Sequence, residues 1–297
     1  MLQVRRPEAP GGLPEDALPV GPQRPTADRK IRKTSLALLQ TTRPYSSVVA
    51  GSLTAASAIA GQGRPIFRSA AAGLAMTTVT MFGFVVNDIF DYHKDRAAGI
   101  QRPLAAGTLS LKKAAWLAIA TFLAAPLIGV FAGAGAGVLV IVGGMLLFYS
   151  PLAQRYSLCK DVYVAMLCCV PLYYGSVVGG GQYPWFAYVL VGSFVFGREL
   201  LMDADELEGD TSFGMKTAAA FLGQRATAGI GMGLMILAAA DTAVVVHGRF
   251  ATATSIAGFA FLAGIFTWPG LQRRRRISLS RVPMLFGAIS VAWGGFS

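Results

Sequence analysis

The chain has 297 residues, 54% of them hydrophobic and 14% charged, with a formal net charge of +11. A soluble domain of this length carries about a quarter charged residues, so the composition argues against a water-soluble globular protein. The nucleic-acid-binding reading that +11 would invite falls with it.

In chain order, residues 1 to 35 are Arg-, Pro- and Gly-rich, with no apolar core and no small-residue cleavage site. They read as a disordered basic tail, not a signal peptide. Residues 36–297 read as one membrane domain. Nine apolar blocks follow, at about 45–62, 68–90, 110–130, 132–150, 161–180, 184–204, 226–247, 251–270 and 282–297. Each is long enough, or nearly so, to span a bilayer as a helix. The expected fold class is therefore all-α, a polytopic membrane protein with nine transmembrane helices. The ninth block has fewer than the ~20 residues a full crossing needs. It is expected to tilt little or to end within the membrane.

Two long polar connections stand out, 91–109 and 205–225. With the amino terminus in the cytoplasm, only Arg64, Arg68 and Arg249 of the 26 Lys and Arg residues fall outside. That bias orients the chain and places both polar loops in the cytoplasm, as expected in a cell inner membrane. Trp185 and Trp268, at segment ends, suit an interfacial belt, and the run Arg273–Arg276 reads as a topology determinant. The three cysteines, Cys159, Cys168 and Cys169, form neither a disulfide framework nor a metal-ligand spacing.

The acids are the informative residues. Beyond the tail, all but Asp161 and Asp241 fall in two clusters. The first is Asn87-Asp88-Ile89-Phe90-Asp91-Tyr92-His93-Lys94-Asp95, directly after the second apolar block. As a helix it puts Asp88, Asp91 and Asp95 on one face, at i, i+3 and i+7. Three like charges repel, so a cation belongs among them, and a divalent metal is the economical one. The second cluster repeats the spacing with Asp203, Glu206 and Asp210 after the sixth block. If the two faces converge they form a hard-oxygen cage suited to Mg²⁺; otherwise both are solvated helix ends. Lys94, Arg102, Lys216 and Arg225 lie in the same loops. That mixture suits a ligand carrying more negative charge than the metals neutralise, such as a diphosphate.

These residues resemble the UbiA superfamily of intramembrane prenyltransferases. Asn87-Asp88-x-x-Asp91-x-x-x-Asp95 is similar to its first signature. Asp203-x-x-Glu206-x-x-x-Asp210 is similar to its second, with Glu206 in place of the middle Asp. Arg102-Pro103 through Gly107, Arg43-Pro44 and Tyr149-Ser150-Pro151 also match. Gln101, Gln154 and Asp161 depart from the pattern, where Asn, Lys and Asn are expected.

The resemblance implies a ring of nine helices around a central cavity with an opening to lipid. It also implies a Mg²⁺-dependent enzyme that transfers the prenyl group of a polyprenyl diphosphate to a small-molecule acceptor, an aromatic compound or quinone precursor. Asp88, Asp91 and Asp203 are then the catalytic residues. One metal would be held by Asp88, Asp91 and Asp95, and a second by Asp203, Glu206 and Asp210. Asn87, Lys94, Arg102, Arg155, Lys160 and Lys216 would bind substrate. Phe84, Phe90, Tyr149, Tyr173 and Tyr174 are candidates for an aromatic wall around an allylic cation.

The alternative on the same scaffold is a terpene cyclase, which needs the metals but no acceptor. A transporter is a poorer reading, because the acids crowd one membrane surface instead of lining a path across it. No feature points to nucleic acid or to a protein partner.

Overall fold

In hydrocarbon every backbone N–H and C=O must be satisfied within the protein, and continuous apolar blocks of this length do so as helices, each within its own segment. The computed structural model describes residues 27–60, 66–133, 135–155, 157–181, 185–212, 217–293 and 295–296. Its helices are α1 (Ala27–Thr41), α2 (Pro44–Ala60), α3 (Ile66–Phe90), α4 (Tyr92–Ala97), α5 (Leu111–Phe131), α6 (Ala136–Arg155) and α7 (Ser157–Gly179). They continue with α8 (Trp185–Ser212), α9 (Ala218–Leu222), α10 (Gln224–Val245), α11 (Arg249–Thr267), α12 (Arg273–Leu279) and α13 (Val282–Trp293).

Each apolar block of the sequence coincides with one helix, and the ninth with the short α13. Among the described residues, six helices are long and apolar enough to cross a membrane: α3, α5, α7, α8, α10 and α11. Helix length alone therefore does not give nine full crossings. The 12 residues of α13 rise only ~18 Å, against a hydrocarbon core of about 30 Å. The chain after it pairs back, because Gly295–Phe296 (β2) runs antiparallel to Val246–His247 (β1) at the end of α10. At the other end, α1 begins at Ala27, inside the stretch expected to be an unstructured tail to residue 35; residues 1–26 lie outside the described part.

Glycine seams fix the helices that carry the acids. A Cβ on Gly73 of α3 would lie 2.8 Å from the carbonyl oxygen of Gly51 on α2. On the other side, Gly197 of α8 and Gly231 of α10 face each other's carbonyl oxygens, 2.6 and 2.5 Å from the Cβ each lacks. The two backbones touch at both places, leaving no room for slack. A third seam joins α2 to α7, where Thr54 and Ser57 donate hydroxyl hydrogen bonds to the carbonyls of Pro171 (3.0 Å) and Leu172 (2.7 Å).

Candidate active site

The first acidic face forms where α3 gives way to α4. The chain turns at Asp91, yet the hydrogen bonds of helical spacing continue, Asp91 N to Asn87 O (2.9 Å) and Asp95 N to Asp91 O (2.8 Å). The three carboxylates accordingly share one face, and the cation among them is a guanidinium. Arg102 Nη1 lies 2.7 Å from Asp95 Oδ2, 3.6 Å from Asp88 Oδ1 and 3.8 Å from Asp91 Oδ2. Arg102 is aimed there because its loop is anchored by Leu104 and Leu109, both buried against Phe82 and Val85 of α3.

Asp88, 3% exposed, also accepts from Arg43 Nη2 at 2.9 Å, and the Arg43 guanidinium lies over the Phe84 ring, 4.8 Å from its centroid. Arg43 holds φ +45°, a conformation a non-glycine residue adopts only where its surroundings demand it. Asn87 Nδ2 donates to Asp91 Oδ2 at 3.0 Å. Burial pushes the Asp95 carboxyl above its ordinary value; Arg102 opposes this, and Asp91 and Asp88 add to it.

The second face sits on α8. Glu199 and Asp203 are buried on it, whereas Glu206 is exposed. The side chain of Asp210 lies outside the described residues, as do that of Arg155 and the whole of Lys216. Lys160 of α7 reaches across with Nζ 3.0 Å from Asp203 Oδ1 and 3.3 Å from Asp161 Oδ1. The second contact is an ion pair without hydrogen-bond alignment, because both Asp161 oxygens are buried with no hydrogen-bond partner, and so is Asp203 Oδ2. Lys160 is thus the counter-charge beside Asp203. Arg198 Nη1 lies 3.3 Å from Glu199 Oε1, and its Nε is buried without a partner.

The two helices converge. Asn87 of α3 and Glu199 of α8 line one cavity of about 330 Å³, with Arg43, Arg198, Arg281 and Tyr149. This is the size of a small-molecule site. Arg281 is pushed below the ordinary arginine value, by burial first and then by Arg198 and Arg43. Three guanidiniums around one cavity, like-charged and partly dehydrated, favour an anionic occupant.

Of the five aromatic candidates, only Phe84 and Tyr149 line this cavity. Tyr149 stacks on Tyr163 (centroids 6.4 Å apart, planes at 13°), and the Tyr163 hydroxyl donates to Met145 O at 2.8 Å. Phe90 and Tyr173 are exposed, and Tyr174 is buried in the packing core of α3, α5 and α6.

Among the described residues, no group of three acidic, histidine or cysteine side chains is arranged to hold a metal by itself. The oxygens nonetheless suit Mg²⁺, which takes one or two carboxylates and completes its shell with water and phosphate oxygens. Asp203 Oδ2, buried and without a partner, is such a donor. Arg198 and Arg281 were not among the candidate residues, and Arg43 entered only through resemblance. An arginine inside an apolar block is itself a functional signal, and Arg198 carried it.

Residues 48–289 match the UbiA prenyltransferase family. The digeranylgeranylglyceryl phosphate synthase of Thermococcus kodakarensis is 28% identical over 209 residues, 68% of this chain and 74% of that protein. The apo structure of a UbiA homologue from Aeropyrum pernix superposes with a TM-score of 0.70 at 18% identity, covering 82% of this chain and 96% of that one. A UbiA homologue from Archaeoglobus fulgidus, bound to GPP and Mg²⁺, gives 0.62 at 14% identity, covering 86% of this chain and 99% of that one. At these identities the structural likeness speaks for the fold.

Proposed function

The chain belongs to the UbiA prenyltransferase family, and on that premise we propose that it ionises a polyprenyl diphosphate with Mg²⁺ and transfers the prenyl group to a small-molecule acceptor inside the membrane. The observation that carries this reading is the shared cavity. Asn87 and Glu199 bring the two acidic helices to one chamber, where Arg43, Arg198 and Arg281 stand beside apolar walls that include Leu53, Met76, Val142 and Leu146. The Archaeoglobus homologue, of the same fold, holds a prenyl diphosphate together with Mg²⁺.

Bound Mg²⁺ neutralises the charge that grows on the leaving diphosphate. Asp88, Asp91 and Asp95 on one side, and Asp203 with Glu206 and Asp210 on the other, are the residues to hold it. Arg43 fixes the Asp88 carboxylate, Asn87 orients Asp91, and Lys160 positions Asp203. Arg102 and Lys94 sit beside the first face, where phosphate oxygens would take over the guanidinium's hydrogen bonds; Arg155, at the end of α6, and Lys216 complete the set of basic residues assigned to the diphosphate. Phe84 and Tyr149 present ring faces to the allylic cation and exclude water from it.

The acceptor is either an aromatic quinone precursor or a phosphate-bearing lipid such as the name of the Thermococcus relative describes. In this reading the apolar blocks make nine crossings, and the distribution of Lys and Arg sets the amino terminus, α4 and α9 on the cytoplasmic side.

Purified protein in detergent should consume an allylic diphosphate with Mg²⁺ and an acceptor, form the prenylated acceptor, and stop in EDTA. Full activity in EDTA would overturn the metal assignment, and a cyclic terpene formed without acceptor would overturn transfer. A cysteine placed at Ala106 should label with an impermeant reagent only from the cytoplasmic side.

A further inference from the structure

The cavity beside the acids has a neighbour. A second, almost wholly apolar chamber lies beyond it, walled by Ala187, Leu190 and Val191 of α8, Ala239 of α10 and Phe259 of α11. Leu53 and Val195 wall both chambers.

Three helices give the same order. Along α8, Val195, Arg198, Glu199 and Met202 line the first chamber, and residues from Ala187 to Val195 line the second. Along α2, Leu53 is the last lining residue of the first chamber. Along α7, Pro171 closes the first and Leu172 opens the second. The chambers are thus stacked end to end along the helix axes, with a waist of Leu53, Leu172 and Val195. The waist is rigid. The Thr54 and Ser57 hydroxyls bond the carbonyls of Pro171 and Leu172 at that level, and a Cβ on Gly175 just beyond would run into Thr54 O and Ser57.

We infer that the isoprenoid chain of the substrate threads this waist, and that Leu53, Leu172 and Val195 divide short prenyl diphosphates, which end at it, from C20 diphosphates, which fill the chamber beyond. The inference rests on the prenyl-diphosphate reading of the site. At 1.5 Å per residue, Val195 lies roughly 6 Å from Glu199 along α8, and Ala187 roughly 18 Å. An isoprene unit adds four chain carbons, roughly 5 Å at bonds of ~1.5 Å. Two units from the level of Glu199 therefore reach slightly past the waist, and four reach the floor at Ala187. A chain much longer than C20 outruns the apolar lining that α8 supplies, which ends at Ala187. The lower chamber offers hydrocarbon to hydrocarbon, with only the hydroxyls of Thr242 and Ser255 among its polar side chains. Thr242 spends its hydrogen bond on Ala238 O, at 2.7 Å.

The test is a length profile of kcat/KM with C10, C15, C20 and C30 allylic diphosphates, on wild type and on Ala239→Phe, which plugs the lower chamber away from both acidic clusters. Wild type should peak at C20. Ala239→Phe should lower the C20:C10 ratio at least tenfold while C10 turnover persists. Val191→Phe plugs the same chamber from the opposite wall and should repeat the shift, which covers a misfolded first variant. Thermal stabilisation by non-ionisable C10 and C20 thiolodiphosphates gives a second readout: the extra protection by C20 should vanish in both variants. Undiminished C20 preference in folded variants, or a wild-type profile flat out to C30, overturns the threading and leaves the prenyltransferase reading intact. No turnover and no binding at any length overturns that reading itself, and the threading with it.

Discussion

Arg102 Nη1 lies 2.7 Å from Asp95 Oδ2, and the same nitrogen stands within 3.8 Å of Asp88 and Asp91. One guanidinium thus occupies the centre of the carboxylate face, where the sequence asks for a cation. A divalent ion and a diphosphate arriving together would compete for this place, so Arg102 links metal binding to phosphate binding.

Replacing it with Gln should expose that link. In the ligand-free protein, Arg102→Gln leaves three carboxylates to repel one another and should cost about 2 kcal/mol, the scale of a lost hydrogen bond to a charged group. The sign with pH follows from Asp95, whose carboxyl is already raised by burial against the pull of Arg102. A raised carboxylate value means that the charged form burdens the fold. The loss should be complete above the folded value and absent below the ordinary Asp range near 4. Melting temperature in detergent against pH, with and without millimolar Mg²⁺, reads it. Mg²⁺ should raise the melting temperature more in the variant than in wild type; equal shifts would separate Arg102 from the metal site.

Lys160 should behave differently, since it is 15% exposed and holds Asp203 against Asp161. Lys160→Met strands two buried carboxylates, and breaking such a pair costs about 3–5 kcal/mol. Adding Asp161→Asn should return part of that stability without restoring turnover. Denaturant titration of the single and double variants decides it: a double variant no more stable than the single would mean that Asp161 is not the stranded charge.

The glycine seam predicts loss of activity at a distance. Gly231→Val puts a branched side chain where even a Cβ would stand 2.5 Å from Gly197 O. Overpacking of this kind costs about 1–3 kcal/mol. It should also shift α8, two residues from Glu199, and a displacement near 1 Å can lower turnover about a hundredfold. A kcat that tracks the residual folded fraction, with no further fall, would show the seam to be structural only.

Arg43 separates stability from function. Its φ of +45° stores about 1–3 kcal/mol, which glycine would release. Arg43→Gly also removes the 2.9 Å contact to Asp88. The two effects oppose each other, so melting temperature should move by only a few degrees while kcat/KM falls at least a hundredfold. A large drop in melting temperature with turnover per folded molecule retained would make Arg43 a structural residue.

Much of this architecture is written in local order. Length and apolarity place helices at all nine blocks, because backbone groups in hydrocarbon have no other means of satisfaction. The i, i+3, i+7 spacing puts Asp88, Asp91 and Asp95 on one face, because helical hydrogen bonding survives the turn at Asp91. Neither inference needs a neighbouring helix.

What only the tertiary structure decides is which charges meet. Lys160 follows the positive-inside pattern as well as any lysine, yet the α7–α8 contact makes it the partner of Asp203. Arg43, Arg198 and Arg281 come from three distant parts of the chain and line one cavity. Glu206 shares the spacing of its cluster but is exposed, whereas Glu199, two turns earlier, faces the chamber. Spacing along a helix fixes a face, but which part of that face is buried depends on how the glycine seams set one helix against the next.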